Sequence, residues 1–170
     1  MGVFDPKDFH DITSAKLRKA GLPVPDIRKF SSVTSVDDFI DEWEAVKSKH
    51  GGLSDVPYTE LSRYLDAWSA LSTSARMVEA LAQADLVTAE FNEKFVKKQV
   101  YLAVDSGNRE LRDAKVYENA DYKKSVEDYL QANRVYEYVH ALRESYERYA
   151  FVISREISRR VSNLPQELRS

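Results

Sequence analysis

The 170-residue chain contains no cysteine. Disulfides, thiolate zinc sites and a cysteine nucleophile are thereby excluded, and the composition suits a reducing compartment. Glycine and proline are scarce, five of each, too few for the many turns of a β-sandwich. Long hydrophobic runs are missing too. With tyrosine counted as polar, the longest is "AFVI" at 150–153, whereas a membrane-spanning helix takes about 20 apolar residues. Positive charge is not in excess: 25 Lys and Arg face 28 Asp and Glu, for a net charge of -3. A dedicated duplex-DNA binder is usually basic overall. The opening "MGVFDPKDFHD" carries acids where a secretory signal has bases followed by an apolar stretch, and Pro6 makes Met1-Gly2 a poor myristoylation site. No membrane partner is expected.

What remains is a helix-rich composition, 43% apolar and 31% charged. The chain divides near Pro57. Four of the five prolines lie at or before it, and so does every glycine except Gly107. In the N-terminal part, "DPKDFHDITSAKLRKAG" predicts a short helix with Asp5 as N-cap, Pro6 at the first helical position and Gly21 as the stop. "LPVPDIRKFSSVTS" predicts an extended stretch, because a residue preceding proline is pushed out of the helical region. "SVDDFIDEWEAVKSKHGG" opens with a capping-box spacing, Ser35 to Asp38. It then places Phe39, Ile40, Trp43 and Val46 on one face and ends at Gly51-Gly52.

Beyond Pro57 two long helical periods follow. In the first, Tyr58, Leu61, Leu65, Trp68, Leu71, Ala75, Val78, Ala82, Leu86, Phe91, Phe95 and Tyr101 recur mostly at steps of three and four. In the second, Tyr122, Val126, Tyr129, Tyr136, Val139, Tyr146, Ala150, Ile153, Ile157 and Val161 do the same, and the run stops before Pro165. A polar connection, Asp105 to Asp121, separates them. The expected fold is all-α: a long antiparallel helical hairpin over 57–164, an N-terminal arm with two short helices over 1–56, and a tail over 165–170. Leu81, Leu86, Val87, Val96, Val100, Leu102, Val135 and Leu142 make the apolar faces wider than one seam needs. That width predicts a third layer, supplied by the N-terminal helices and by further copies in a homo-oligomer.

Catalytic signatures are missing. No G-x-S-x-G, H-E-x-x-H, P-loop or dinucleotide fingerprint occurs, so a non-enzymatic protein without cofactors is expected. Glu137 and His140 have the Glu-x-x-His spacing of di-iron bundles, but such a site needs a second motif and two more inward glutamates. A solvated turn accounts for them better.

Charge is segregated along the chain. Residues 94–124 hold eight basic residues against five acidic, and residues 148–170 five against two, while residues 1–60, 61–93 and 125–147 are each net acidic. Arg159 and Arg160 fit a helix C-terminus, where cations gain about 0.3–1 kcal/mol from the macrodipole. Arg148 lies about three turns earlier, beyond the reach of that effect. Aromatic residues interleave the cluster. Tyr146 falls on the packing stripe, which leaves Tyr149 and Phe151 to stack on bases while arginines hold phosphates, the way single strands are bound without sequence preference. Copies assembled in a ring would join such patches into one track.

The run "ELRDAKVYENADYKKSVEDYLQANRVYEYVHALRESYERYAFVISREISRR" resembles the phage recombination mediators of the UvsY type. The likeness covers roughly residues 90–161. It consists of a long helix ending in basic residues, a polar loop, an Ala-Asp opening, and a second long helix finishing with Ser154-Arg155 and Arg159-Arg160. The chain differs from that family in its acidic balance and its N-terminal arm. The resemblance implies a ring-forming helical protein that binds single-stranded DNA and helps load a recombinase onto strands coated by a single-strand-binding protein, with the family's basic residues falling on Lys97 and Lys98. On this reading Lys94, Lys97, Lys98, Arg148, Arg155, Arg159 and Arg160 contact phosphates, Tyr149 and Phe151 stack on bases, and the protein works in the cytoplasm of an infected bacterium. The alternative is a phage structural or assembly protein, such as a virion, scaffold or adaptor component, whose helices make subunit contacts.

Overall fold

The computed structural model describes residues 15, 18, 19, 21, 29–31, 35–104 and 108–163. The helix expected over 5–21 and the extended stretch after it lie mostly outside the described residues, and the tail 165–170 wholly so. The elements are α1 (Val36–Lys49), a 3-10 turn (Leu53–Asp55), α2 (Tyr58–Ala103), α3 (Arg109–Glu118) and α4 (Ala120–Ser162). No strand occurs among the described residues. The chain is all-α, and α2 and α4 are the legs of a helical hairpin.

Local chemistry sets the helix ends. Ser35 Oγ accepts from the Asp38 N–H at 3.0 Å and donates to the Asp38 carboxylate at 2.6 Å, the expected cap of α1. At the other end Gly52 N–H donates to Lys47 O at 2.9 Å and Gly51 N–H to Ser48 O at 3.1 Å. This is a Schellman pair, and it needs the φ of +78° that Gly51 adopts. Pro57 heads α2, its carbonyl accepting from Leu61 N–H at 3.0 Å. The connection between the long helices differs from the polar loop expected. Asn108 Oδ1 accepts from the N–H groups of Glu110 and Leu111 and starts α3, which buries Val116. Asn119 then caps α4 through the N–H groups of Asp121 and Tyr122, at 2.9 and 3.1 Å.

The chain packs as two compact units, Met1–Val78 with Leu142–Ser170, and Glu79–Ala141. In the first, α1 lies on the hairpin as the predicted third layer. Phe39 meets Tyr64 and Trp68 with ring centroids 5.3 and 5.0 Å apart, and Trp43 meets Tyr64 at 4.6 Å. Phe39, Tyr64, Trp68, Leu61, Val56 and Ile153 are fully enclosed. Glu42 is the polar member of this layer. It accepts hydrogen bonds from Ser31, from Tyr64 Oη at 2.6 Å and from Arg63 at 3.1 Å. Burial raises its pKa, but these hydrogen bonds and the Arg63 charge outweigh burial and hold the carboxyl below its usual range. Burial and the Glu42 carboxylate push the Tyr64 phenol well above its ordinary value. Trp68 meets Tyr149, and Arg76 Nε donates to Glu147 at 2.7 Å, so the legs run antiparallel here.

The second unit is also antiparallel. Glu79 meets His140 Nδ1, while Lys97 lies over the rings of Tyr117 and Tyr122, at 5.6 and 5.8 Å. Among the described residues, it buries Ala82, Val116, Tyr122, Ser125 and Val139. Burial and a hydrogen bond to Glu93 raise the Tyr122 phenol to about 12.

Several residues assigned to the packing stripes are instead exposed: Tyr58, Phe91, Phe95 and Val161, with Val87 and Leu102 among those expected to broaden it. The cause lies in the step from Leu86 to Phe91. Five residues turn a helix by about 140° beyond a full revolution, which carries Phe91 to the opposite side. The inward line continues instead through Glu93, Val96 and Val100, all half-buried.

Candidate nucleic-acid interface

The residues singled out from the sequence fall into both units. Lys94, Lys97 and Lys98 stand on α2 in the second. Arg148, Tyr149, Phe151, Arg155, Arg159 and Arg160 stand on α4 in the first.

On α4 the structure sorts them into two groups by helical phase. Arg148, Phe151 and Arg155 are spaced i, i+3 and i+7, so they share one face. All three are exposed, Phe151 by 64%. Neither arginine has a hydrogen bond or ion pair among the described residues. Each is held outward because the opposite face, carrying Tyr146, Ile153 and Ile157, joins the core. The result is an accessible ring with a guanidinium about one turn to either side.

The second group serves packing. Tyr149 is half-buried, stacked on Trp68 with centroids 4.4 Å apart and planes at 21°, so one of its faces is already covered. Arg160 turns inward. It donates to the carbonyl oxygens of Val56 (2.7 Å), Ser54 (2.8 Å) and Leu53 (3.0 Å), and to Glu156 at 2.8 Å. Here a cation satisfies the carbonyls of the 3-10 turn, a part that the sequence reading did not give it. Arg159 forks onto Glu156 with bonds of 2.8 and 2.7 Å. Those hydrogen bonds, from Arg159 first and Arg160 second, depress the Glu156 carboxyl to about 2.

On α2, Lys94 bonds Glu90 one turn back, which raises its pKa. Lys97 is occupied by the two tyrosine rings. Lys98 points outward beside Phe91 and Phe95, whose rings stack with centroids 6.3 Å apart. Spacing alone places these two phenylalanines in the core. The five-residue step before Phe91 was the signal that they face out.

Among the described residues no group of three or more His, Asp or Glu side chains gathers as a metal site. Glu137 is exposed, while the His140 ring lies against Glu79 and stacks on Tyr136. No helix of the described residues is long and apolar enough to cross a membrane. No family model matches the chain, and neither a curated protein nor a solved structure matches it.

Proposed function

We propose that this is a non-enzymatic helical protein that binds single-stranded DNA, as an accessory in recombination. The observation that carries the reading is the Arg148–Phe151–Arg155 face: an exposed aromatic ring between two outward guanidinium groups that have no carboxylate partner among the described residues. Such a face offers a π surface to a base and two cations to the flanking phosphates, and it asks nothing of the base sequence. The resemblance of residues 90–161 to the UvsY-type mediators supports the same reading. The acidic balance of the whole chain is compatible with it, because single-strand contacts are local and residues 148–155 themselves hold no acid.

Fluorescence anisotropy with a labelled oligonucleotide at low salt tests this. Binding is expected in the micromolar range and weakens with salt. Replacing Arg148 and Arg155 by alanine flattens the log–log salt slope by about 1.4, two contacts at roughly 0.7 each. Phe151→Ala weakens binding by about 1–3 kcal/mol and leaves the slope unchanged. Absence of binding at tens of micromolar protein removes the proposal.

A second reading, a phage structural or assembly component, is favoured by one specific feature, the exposed apolar line on α2 that includes Val87, Phe91, Phe95 and Leu102. In that reading the Arg148 face pairs with an acidic neighbour. Co-sedimentation with particles from the native source distinguishes it from the first.

A further inference from the structure

The outward line on α2 carries large apolar side chains that the fold leaves uncovered. Its positions are 80, 84, 87, 91, 95, 98 and 102, all exposed, with steps of four, three, four, four, three and four. At about 100° per residue they stay within roughly 40° of one direction. The order of steps is the same from either end, with Phe91 at the centre. A helix laid antiparallel across this line with Phe91 on Phe91 therefore sets every outward position against another.

The residues fit that register. Ala80 opposes Leu102, Ala84 opposes Lys98 and Val87 opposes Phe95, a smaller side chain against a larger one each time. Leu102 and Phe91 are each 71% exposed and Val87 58%, so they keep apolar surface that a lone chain leaves wet. Charge is antisymmetric about the same residue. Residues 80–90 carry Asp85 and Glu90 and no base, whereas residues 92–102 carry Lys94, Lys97 and Lys98 against Glu93 alone. An antiparallel copy lays a net -2 segment along a net +2 segment twice over, and a parallel copy lays like against like.

From exposure, side-chain fit and charge together we infer that a second copy of this chain docks antiparallel on the α2 face, centred on Phe91. This goes beyond the DNA reading and does not depend on it, since Arg148, Phe151 and Arg155 take no part.

The natural absence of cysteine makes the test direct. Ala80→Cys and Leu102→Cys are prepared separately in the full chain, with tags of different size, and oxidised alone and mixed. The antiparallel register gives a disulfide-linked heterodimer in the mixture and no linked product from either variant alone. In sedimentation equilibrium the wild-type chain is a dimer, and Phe91→Glu, which alters a solvent-facing position, is monomeric with an unchanged far-ultraviolet circular dichroism spectrum. Lys94→Glu with Lys98→Glu weakens association by about tenfold or more, and adding Asp85→Lys and Glu90→Lys restores it. Linking of either cysteine variant to itself overturns the inference. So does a wild-type chain that stays monomeric at high concentration, or a Phe91→Glu chain that still pairs. DNA binding by the Phe91→Glu monomer leaves the nucleic-acid reading intact whatever becomes of the dimer.

Discussion

The Arg160 guanidinium donates to the carbonyl oxygen of Val56 at 2.7 Å, across 104 positions of sequence. It ties the last turns of α4 to the corner that leads into α2. Its neighbour Arg159 differs by about 100° of helical phase and stays half exposed while it bonds the more enclosed Glu156.

The two arginines therefore predict different stabilities. Arg160→Ala strips a charged donor from three carbonyls and costs about 1.5–3 kcal/mol. Arg159→Ala loses an exposed ion pair and changes stability by less than about 1 kcal/mol. Urea unfolding followed by tryptophan fluorescence measures both, because Trp43 and Trp68 sit in the same unit as the clamp. Equal losses for the two variants would contradict the assignment.

The phenylalanines divide in the same way. Phe39 is fully enclosed between Tyr64 and Trp68, so Phe39→Ala costs about 3–5 kcal/mol through lost burial and the cavity left behind. Phe151→Ala removes a ring that touches solvent, and stability stays within about 0.5 kcal/mol. The thermal unfolding midpoint resolves this contrast, which also keeps Phe151→Ala usable as a DNA-binding variant.

Acid should destabilise the first unit in a defined window. Glu156 is held at about 2 against an ordinary 4.5 by Arg159 and Arg160. Glu147 is lowered by the hydrogen bond from Arg76, with Arg143 adding to it. Glu42 is lowered as well. A carboxyl depressed in the folded state contributes stability that is present above its unfolded pKa and lost as pH falls through its folded pKa. Unfolding free energy is thus level above about pH 5.5 and declines from about pH 4.5 toward 2. In Glu156→Gln part of that decline disappears, because one linked proton is gone. A pH series of urea midpoints on the two proteins makes the comparison.

Sequence alone determined the class of fold and most helix ends. The reasons are local: Ser35 caps within its own turn, Gly51 takes a backbone angle other residues resist, and Pro57 and Pro165 bracket the long helical periods. Periodicity also selected Phe39, Trp43, Leu61, Trp68, Val78, Val139, Tyr146 and Ile153 for the interior, all of which are buried. Only tertiary structure decided which of the remaining apolar and basic residues face water. Phe91 and Tyr64 are both large aromatics on one helix, yet Phe91 is open while Tyr64 is enclosed beneath α1. Arg148 and Arg160 are alike in chemistry, but Arg160 alone has the carbonyl groups of Leu53, Ser54 and Val56 beside it. A helix period specifies direction around one axis, and burial depends on what another segment, distant in sequence, places there.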